Sequence, residues 1–157
     1  MERVYLETSV VSYLVALRSR DLIVAGRQQL TIDWWEKERE KYELYVSEPV
    51  IEEAQVGDPA EIAKRTAIVA GVPILTTTLE AEQLARLLVQ TGTLPPKAAV
   101  DALHIALATV HEMDYLLTWN MKHIANAHVR KMVARIFAAQ GHQPPVICTP
   151  EELGEIV

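Results

Sequence analysis

Short β-branched and aromatic runs alternate with helix-forming segments along nearly the whole chain, and this alternation constrains the fold more than any other feature of the sequence. Arg3-Val4-Tyr5-Leu6, Glu43 to Ser47, Val72 to Leu75, Tyr115 to Leu117 and Val146 to Cys148 read as strands. Helices are expected from Val10 to Val15, Asp21 to about Lys41, around Val50 to Ala54, Ala60 to Ala70, Leu79 to Val89, Lys97 to His111 and Ala125 to Ala139. Thr8 or Ser9 and Thr78 are cap candidates. Gly57-Asp58-Pro59, Gly71, Gly92 and Gly141 mark turns or stops, and Thr149-Pro150-Glu151-Glu152 reads as a capped final turn. Strand-helix alternation of this kind implies an α/β fold, with a mostly parallel central sheet of four to five strands and helices on both faces. At 157 residues and 50% hydrophobic content the chain is expected to be a single domain, 1–157, with one core.

The stretch Lys97-Ala-Ala-Val-Asp-Ala-Leu-His-Ile-Ala-Leu-Ala-Thr-Val-His111 carries one misplaced charge. Val100, Leu103, Leu107 and Val110 recur at three- and four-residue steps and predict the core stripe. Asp101 lies one residue from that stripe, with apolar or small helical neighbours in Ala98, Ile105 and Ala108. An ionised carboxylate that leaves water needs a compensating partner. One reading supplies His104 or a backbone donor; the other makes Asp101 a metal ligand.

In a parallel sheet the ligand site lies outside the carboxyl ends of the strands, and that rule gathers scattered acids into one constellation. Glu7 ends the first strand, Glu52 or Glu53 lies in the helix after the second, Asn120 follows the fourth, and Asp101 opens the helix leading to it. An oxygen-rich, cysteine-free cluster suits Mg²⁺ or Mn²⁺ rather than zinc. Taken singly, Glu7 is equally explained as a favourable charge at a helix start, and Glu52 or Glu53 as solvated surface. Cys148 is the only cysteine, so neither an internal disulfide nor a structural zinc site is expected.

The net charge of −6 argues against bulk electrostatic attraction to nucleic acid. Residues 1–96 hold ten Lys or Arg against fifteen Asp or Glu, whereas residues 97–142 hold five against three. The longest apolar runs, such as Ala67 to Leu75, are too short for a bilayer, and the expectation is a soluble cytoplasmic protein. Leu14, Leu17, Leu22 and Ile23 are expected either in the core or on a partner-binding surface.

These residues carry a resemblance that spans nearly the whole chain: it is similar to PIN-domain proteins, the three-layer fold of VapC-type toxins of toxin-antitoxin pairs. Tyr5-Leu6-Glu7-Thr8-Ser9 resembles the family's first acidic motif, Ser47 through Glu53 the second, and Asp101-Ala-Leu-His-Ile-Ala-Leu-Ala108 the third. The spacing from Ser47 in that second motif favours Glu53 over Glu52. Leu117-Thr118-Trp119-Asn120 with Lys122-His123 resembles the fourth. Glu7 stands where the family usually has Asp, and Asn120 where it often has Asp.

The resemblance implies a metal-dependent endoribonuclease in which Glu7, Glu53 and Asp101 hold Mg²⁺ or Mn²⁺. Asn120 and Thr8 would orient ligands or water, and Lys122, His123 and Arg130 would meet RNA phosphates. It also implies a homodimer neutralised by a small antitoxin. Two rivals stand beside this reading. A phosphoacceptor receiver-like domain fits poorly, because its strand-end aspartate and lysine would fall at Thr76 and Cys148. A non-catalytic PIN-like interaction module with a degenerate metal site is the other.

Overall fold

The computed structural model describes residues 1–154; the expected domain 1–157 runs on into residues 155–157, outside the described residues. Five parallel strands form one sheet in the order β3-β2-β1-β4-β5. They are β1 (Arg3–Leu6), β2 (Glu43–Ser47), β3 (Ile74–Leu75), β4 (Tyr115–Leu117) and β5 (Val146–Cys148). Among the described residues seven α-helices connect and cover them: α1 (Thr8–Val15), α2 (Leu22–Lys37), α3 (Glu48–Ala54), α4 (Pro59–Val69), α5 (Leu79–Gln90), α6 (Ala99–Val110) and α7 (Ala127–Ala139). This is the expected α/β architecture.

β1 is the central strand, paired with β2 on one side and β4 on the other, so Val4, Tyr5 and Leu6 are fully buried. A continuous apolar run is what a strand covered on both faces requires. Strand order reverses between β1 and β4, which places a crevice at their carboxyl ends. Among the described residues no helix is long and apolar enough to cross a membrane.

Several boundaries differ from the sequence expectation, each for a local reason. Glu7 itself caps α1, its side chain accepting from the Ser9 N–H, so the helix begins at Thr8. β3 is two residues long because Pro73 has no N–H and contributes only its carbonyl, which accepts from Val46, while the Val72 N–H turns back to Val69. α2 ends at Lys37 and a short 3-10 turn, Arg39–Lys41, follows. α7 begins two residues late, capped by Asn126, since the Ile124 and Ala125 N–H groups bond the Asn120 carbonyl instead.

The phase of α6 is the largest correction. Val100 is exposed and Leu103 and Val110 only half-buried; the buried face is Ala102, His104, Ile105, Ala106, Leu107, Ala108 and Thr109. Alanines let α6 pack close to α5, α3 and β4, and small side chains carry little of the periodic signal that larger ones do. The helix expected from Lys97 begins at Ala99, so Asp101 lies in its first turn. Leu22 and Ile23 lie in the solvent at the start of α2, not in the core, with Leu22 87% exposed.

Candidate functional site

The carboxyl ends of β1 and β4 carry a set of polar side chains locked to one another. Glu7 follows β1 directly, and its N–H still pairs with the Leu117 carbonyl of β4 at 3.1 Å. Its side chain folds back: Oε1 accepts from Ser9 Oγ and Thr118 Oγ1, each at 2.5 Å, and Oε2 from the Ser9 N–H at 3.2 Å. Glu7 is thus 4% exposed yet hydrogen-bonded, as a buried carboxylate must be. The extra methylene of glutamate lets one residue end a strand and cap the next helix.

Glu53 comes from the opposite wall. Ser47 ends β2 and caps α3 through the Val50 N–H, with Pro49 in the first turn, and this start sets the rotation of the helix. Glu53 then faces the crevice while Glu52, about 100° around the axis, faces solvent. Glu53 Oε1 accepts from Thr8 Oγ1 and from His104 Nε2, both at 2.6 Å. One ligand-capable atom from each of Glu7, Glu53 and His104 lies within 4.8 Å of the others.

His104 is fully buried on α6 and bonded on both sides. Its Nδ1 lies 2.6 Å from Tyr5 Oη, which in turn lies 2.6 Å from Ser47 Oγ. Burial opposes a charged imidazolium, but the Glu53 hydrogen bond and the charges of Glu7, Glu53 and Asp101 outweigh it and raise the His104 pKa. Burial also acts on Glu53, toward a higher pKa; the His104 hydrogen bond and charge and the Thr8 hydrogen bond outweigh that and lower it. Burial, against the Ser47 hydrogen bond and with the charges of Glu7 and Glu53, pushes the Tyr5 phenol up, so it remains a protonated donor. A carboxylate only accepts, so Nε2 carries a proton toward Glu53 whether the ring is neutral or charged. His104 therefore has no lone pair free for a metal on that side.

Asp101 is engaged by other partners than those foreseen. Oδ1 accepts from Asn120 Nδ2 and Oδ2 pairs with His123 Nδ1, both at 3.0 Å, and the Asp101 side chain is one-fifth exposed. Asn120 also takes the His123 N–H on its Oδ1, so it caps the turn after β4 while holding Asp101. Lys122 is exposed beside them. Arg130 is engaged by β5 and the chain after it, its Nη1 donating to the Ile147 carbonyl at 3.2 Å and lying 3.8 Å from Glu152.

The structure thus brings Glu7, Thr8 and Glu53 together around His104, and Asp101, Asn120 and His123 into an adjoining group. With the His104 nitrogens committed, the donors that Glu7, Glu53, Asp101 and Asn120 offer are carboxylate and amide oxygens, which fit a hard divalent cation better than a soft one. Sequence reasoning missed the roles of Tyr5, Ser9, Ser47, Thr118 and His104. A signal existed for His104, a polar residue three places after Asp101 in an otherwise alanine-rich apolar helix.

No protein-family model and no curated protein sequence matches the chain. Among solved structures it is similar to VapC20 of Mycobacterium tuberculosis, described as a Sarcin-Ricin loop cleaving toxin. That likeness has a TM-score of 0.59 and 17% identity, and covers 79% of this chain and 95% of that one. It is also similar to VapBC2 of Rickettsia felis, solved bound to a DNA fragment from its promoter, with a TM-score of 0.59 and 13% identity over 94% of this chain and 98% of that one. Identities this low establish fold: the chain has the PIN-like α/β fold of VapC structures.

Proposed function

We propose that this chain is a metal-dependent endoribonuclease, using Mg²⁺ or Mn²⁺, and the toxin of a toxin-antitoxin pair. The observation that carries this reading is the convergence of Glu7 and Glu53 at the β1–β4 crevice of a VapC-like fold. Asp101 stands one turn before His104 on the same helix, close enough for its charge to act on that ring. Glu7, Glu53 and Asp101 would hold the cation, which supplies charge neutralisation and water activation for phosphodiester hydrolysis. Thr8 orients Glu53 through its hydroxyl; Asn120 and His123 orient Asp101. Lys122, exposed next to His123, would meet an RNA phosphate, and His123 would share that role.

The partner in this reading is a small antitoxin, and the protein itself would be a homodimer. The exposed Leu17, Leu22 and Ile23 offer an apolar surface for such a partner. A non-catalytic module is the second reading. It is favoured by the fact that Glu7, Glu53 and Asp101 each already hold hydrogen bonds within the protein.

An RNA cleavage assay with Mn²⁺, with EDTA, and with Glu53→Gln separates the two. The enzyme reading expects cleavage by the wild type in Mn²⁺ alone and loss of at least a hundredfold in the variant, in line with removal of a principal ligand. Intact protein that leaves RNA uncut in Mn²⁺ and Mg²⁺ supports the non-catalytic module.

A further inference from the structure

We propose that His104, fixed by Tyr5 and Ser47, is a positioning residue that sets the Glu53 carboxylate for divalent metal; this rests on the metal-dependent reading above. The chain of contacts runs from the core to the site. Ser47 Oγ, Tyr5 Oη, His104 and Glu53 Oε1 are linked by three hydrogen bonds of 2.6 Å. Tyr5 and His104 are fully buried and meet edge to face with ring centroids 5.8 Å apart, so neither ring can rotate freely. At the far end Glu53 is 39% exposed and sits near the end of a seven-residue helix, where a glutamate otherwise samples several rotamers.

Two donors, Thr8 Oγ1 and His104 Nε2, converge on the same oxygen, Oε1. They restrain the carboxylate about that atom and leave its second oxygen outside both bonds. Thr8 is on α1 and His104 on α6, so the restraint ties α3 to both of those helices. The three links also span β1, β2 and α6, the elements that fix where Glu53 stands relative to Glu7. His104 acts through Glu53, since its Nε2 proton faces the carboxylate and its Nδ1 faces Tyr5.

Calorimetric titration with Mn²⁺ alone, paired with thermal melts in EDTA, tests this on the wild type, Tyr5→Phe, His104→Leu, His104→Gln and Glu53→Gln. Tyr5→Phe keeps the ring and removes only the hydroxyl, and its Mn²⁺ dissociation constant is expected to rise severalfold. His104→Leu should raise it by roughly tenfold or more, the usual effect of losing a residue that orients a ligand. His104→Gln keeps an N–H donor for Glu53 and should recover most of that loss.

A Tyr5→Phe protein that melts lower but binds Mn²⁺ as the wild type does would make the relay structural only and overturn the proposal. So would a His104→Gln variant as weak as His104→Leu, which would mean that the imidazole itself is the ligand. Failure of the underlying reading looks different: the wild type would take up no Mn²⁺, or Glu53→Gln would bind it unchanged.

Discussion

Glu52 and Glu53 are adjacent, chemically identical and indistinguishable by composition, yet only Glu53 touches Thr8 and His104. Calorimetry on both glutamine variants should find Mn²⁺ affinity lowered at least tenfold by Glu53→Gln and nearly unchanged by Glu52→Gln; a larger loss at Glu52 would contradict the placement. Asp101→Asn is expected to lower the metal-free stability by about 1–3 kcal/mol, because it disrupts the bonds from Asn120 and His123, and to abolish metal-dependent cleavage. A thermal melt in EDTA and one cleavage assay read both outcomes, and a destabilised variant that still cuts RNA would remove Asp101 from the site. The His104–Glu53 pair gives a pH dependence whose sign follows from the two shifts. His104, raised above its ordinary 6.5, contributes stability that is complete below that value and is lost as pH climbs through the folded-state value. Glu53, lowered from 4.5, contributes stability that is complete above that value and is lost as pH falls through the folded-state value. Metal-free melts from roughly pH 3 to pH 9 should therefore find the wild type most favoured over His104→Gln between these limits, with the difference shrinking on either side. Glu7, Glu53 and Asp101 could be picked out from strand ends and motif spacing, since those depend on local order. The bonds that lock them could not, because Tyr5, Ser47, His104 and Thr118 are brought together only by the sheet and by α6.

β1, β2, β4 and β5 begin and end where their β-branched and aromatic runs predict, because each buries at least its last two residues and burial in a parallel sheet leaves a plain record. The phase of α6 is not legible from large apolar residues, because its buried face mixes Ile105 and Leu107 with Ala102, Ala106 and Ala108 and the polar His104 and Thr109. Helix ends divide in the same way. Gly141 sits just past α7 at φ 78°, with its N–H on the Ala138 carbonyl and the His142 N–H on Phe137, and a glycine there announces the stop. Glu112 makes the same motif after α6, its N–H on Thr109 and the Met113 N–H on Ala108, but does so as a non-glycine residue at φ 57°. A left-handed backbone costs an L-residue about 1–2 kcal/mol, partly offset by the greater freedom of glycine in the unfolded chain. Glu112→Gly should thus stabilise the protein by roughly 0.5–1 kcal/mol in denaturant titration, and a loss of stability would mean that the Glu112 side chain holds the turn.

At the scale of the whole molecule, the reversal of strand order between β1 and β4 opens a crevice at the carboxyl ends of those strands, and an acidic protein gathers its buried and half-buried carboxylates there. The net charge of −6 leaves little general attraction for RNA, so the proposed ribonuclease would have to meet its substrate through a few placed cations such as Lys122 rather than through the overall field. The carboxylates at that edge are held in place by neutral hydroxyls, an amide and two histidines, which keeps them near one another before any cation arrives. The proposed metal-dependent cleavage requires that edge to take up a divalent ion. Anomalous diffraction from a crystal soaked in Mn²⁺ measures this most directly. The predicted result is a manganese peak at the β1–β4 crevice touching carboxylate oxygens of Glu7, Glu53 and Asp101. A well-ordered crystal with no peak there, or with manganese bound only elsewhere, would contradict it.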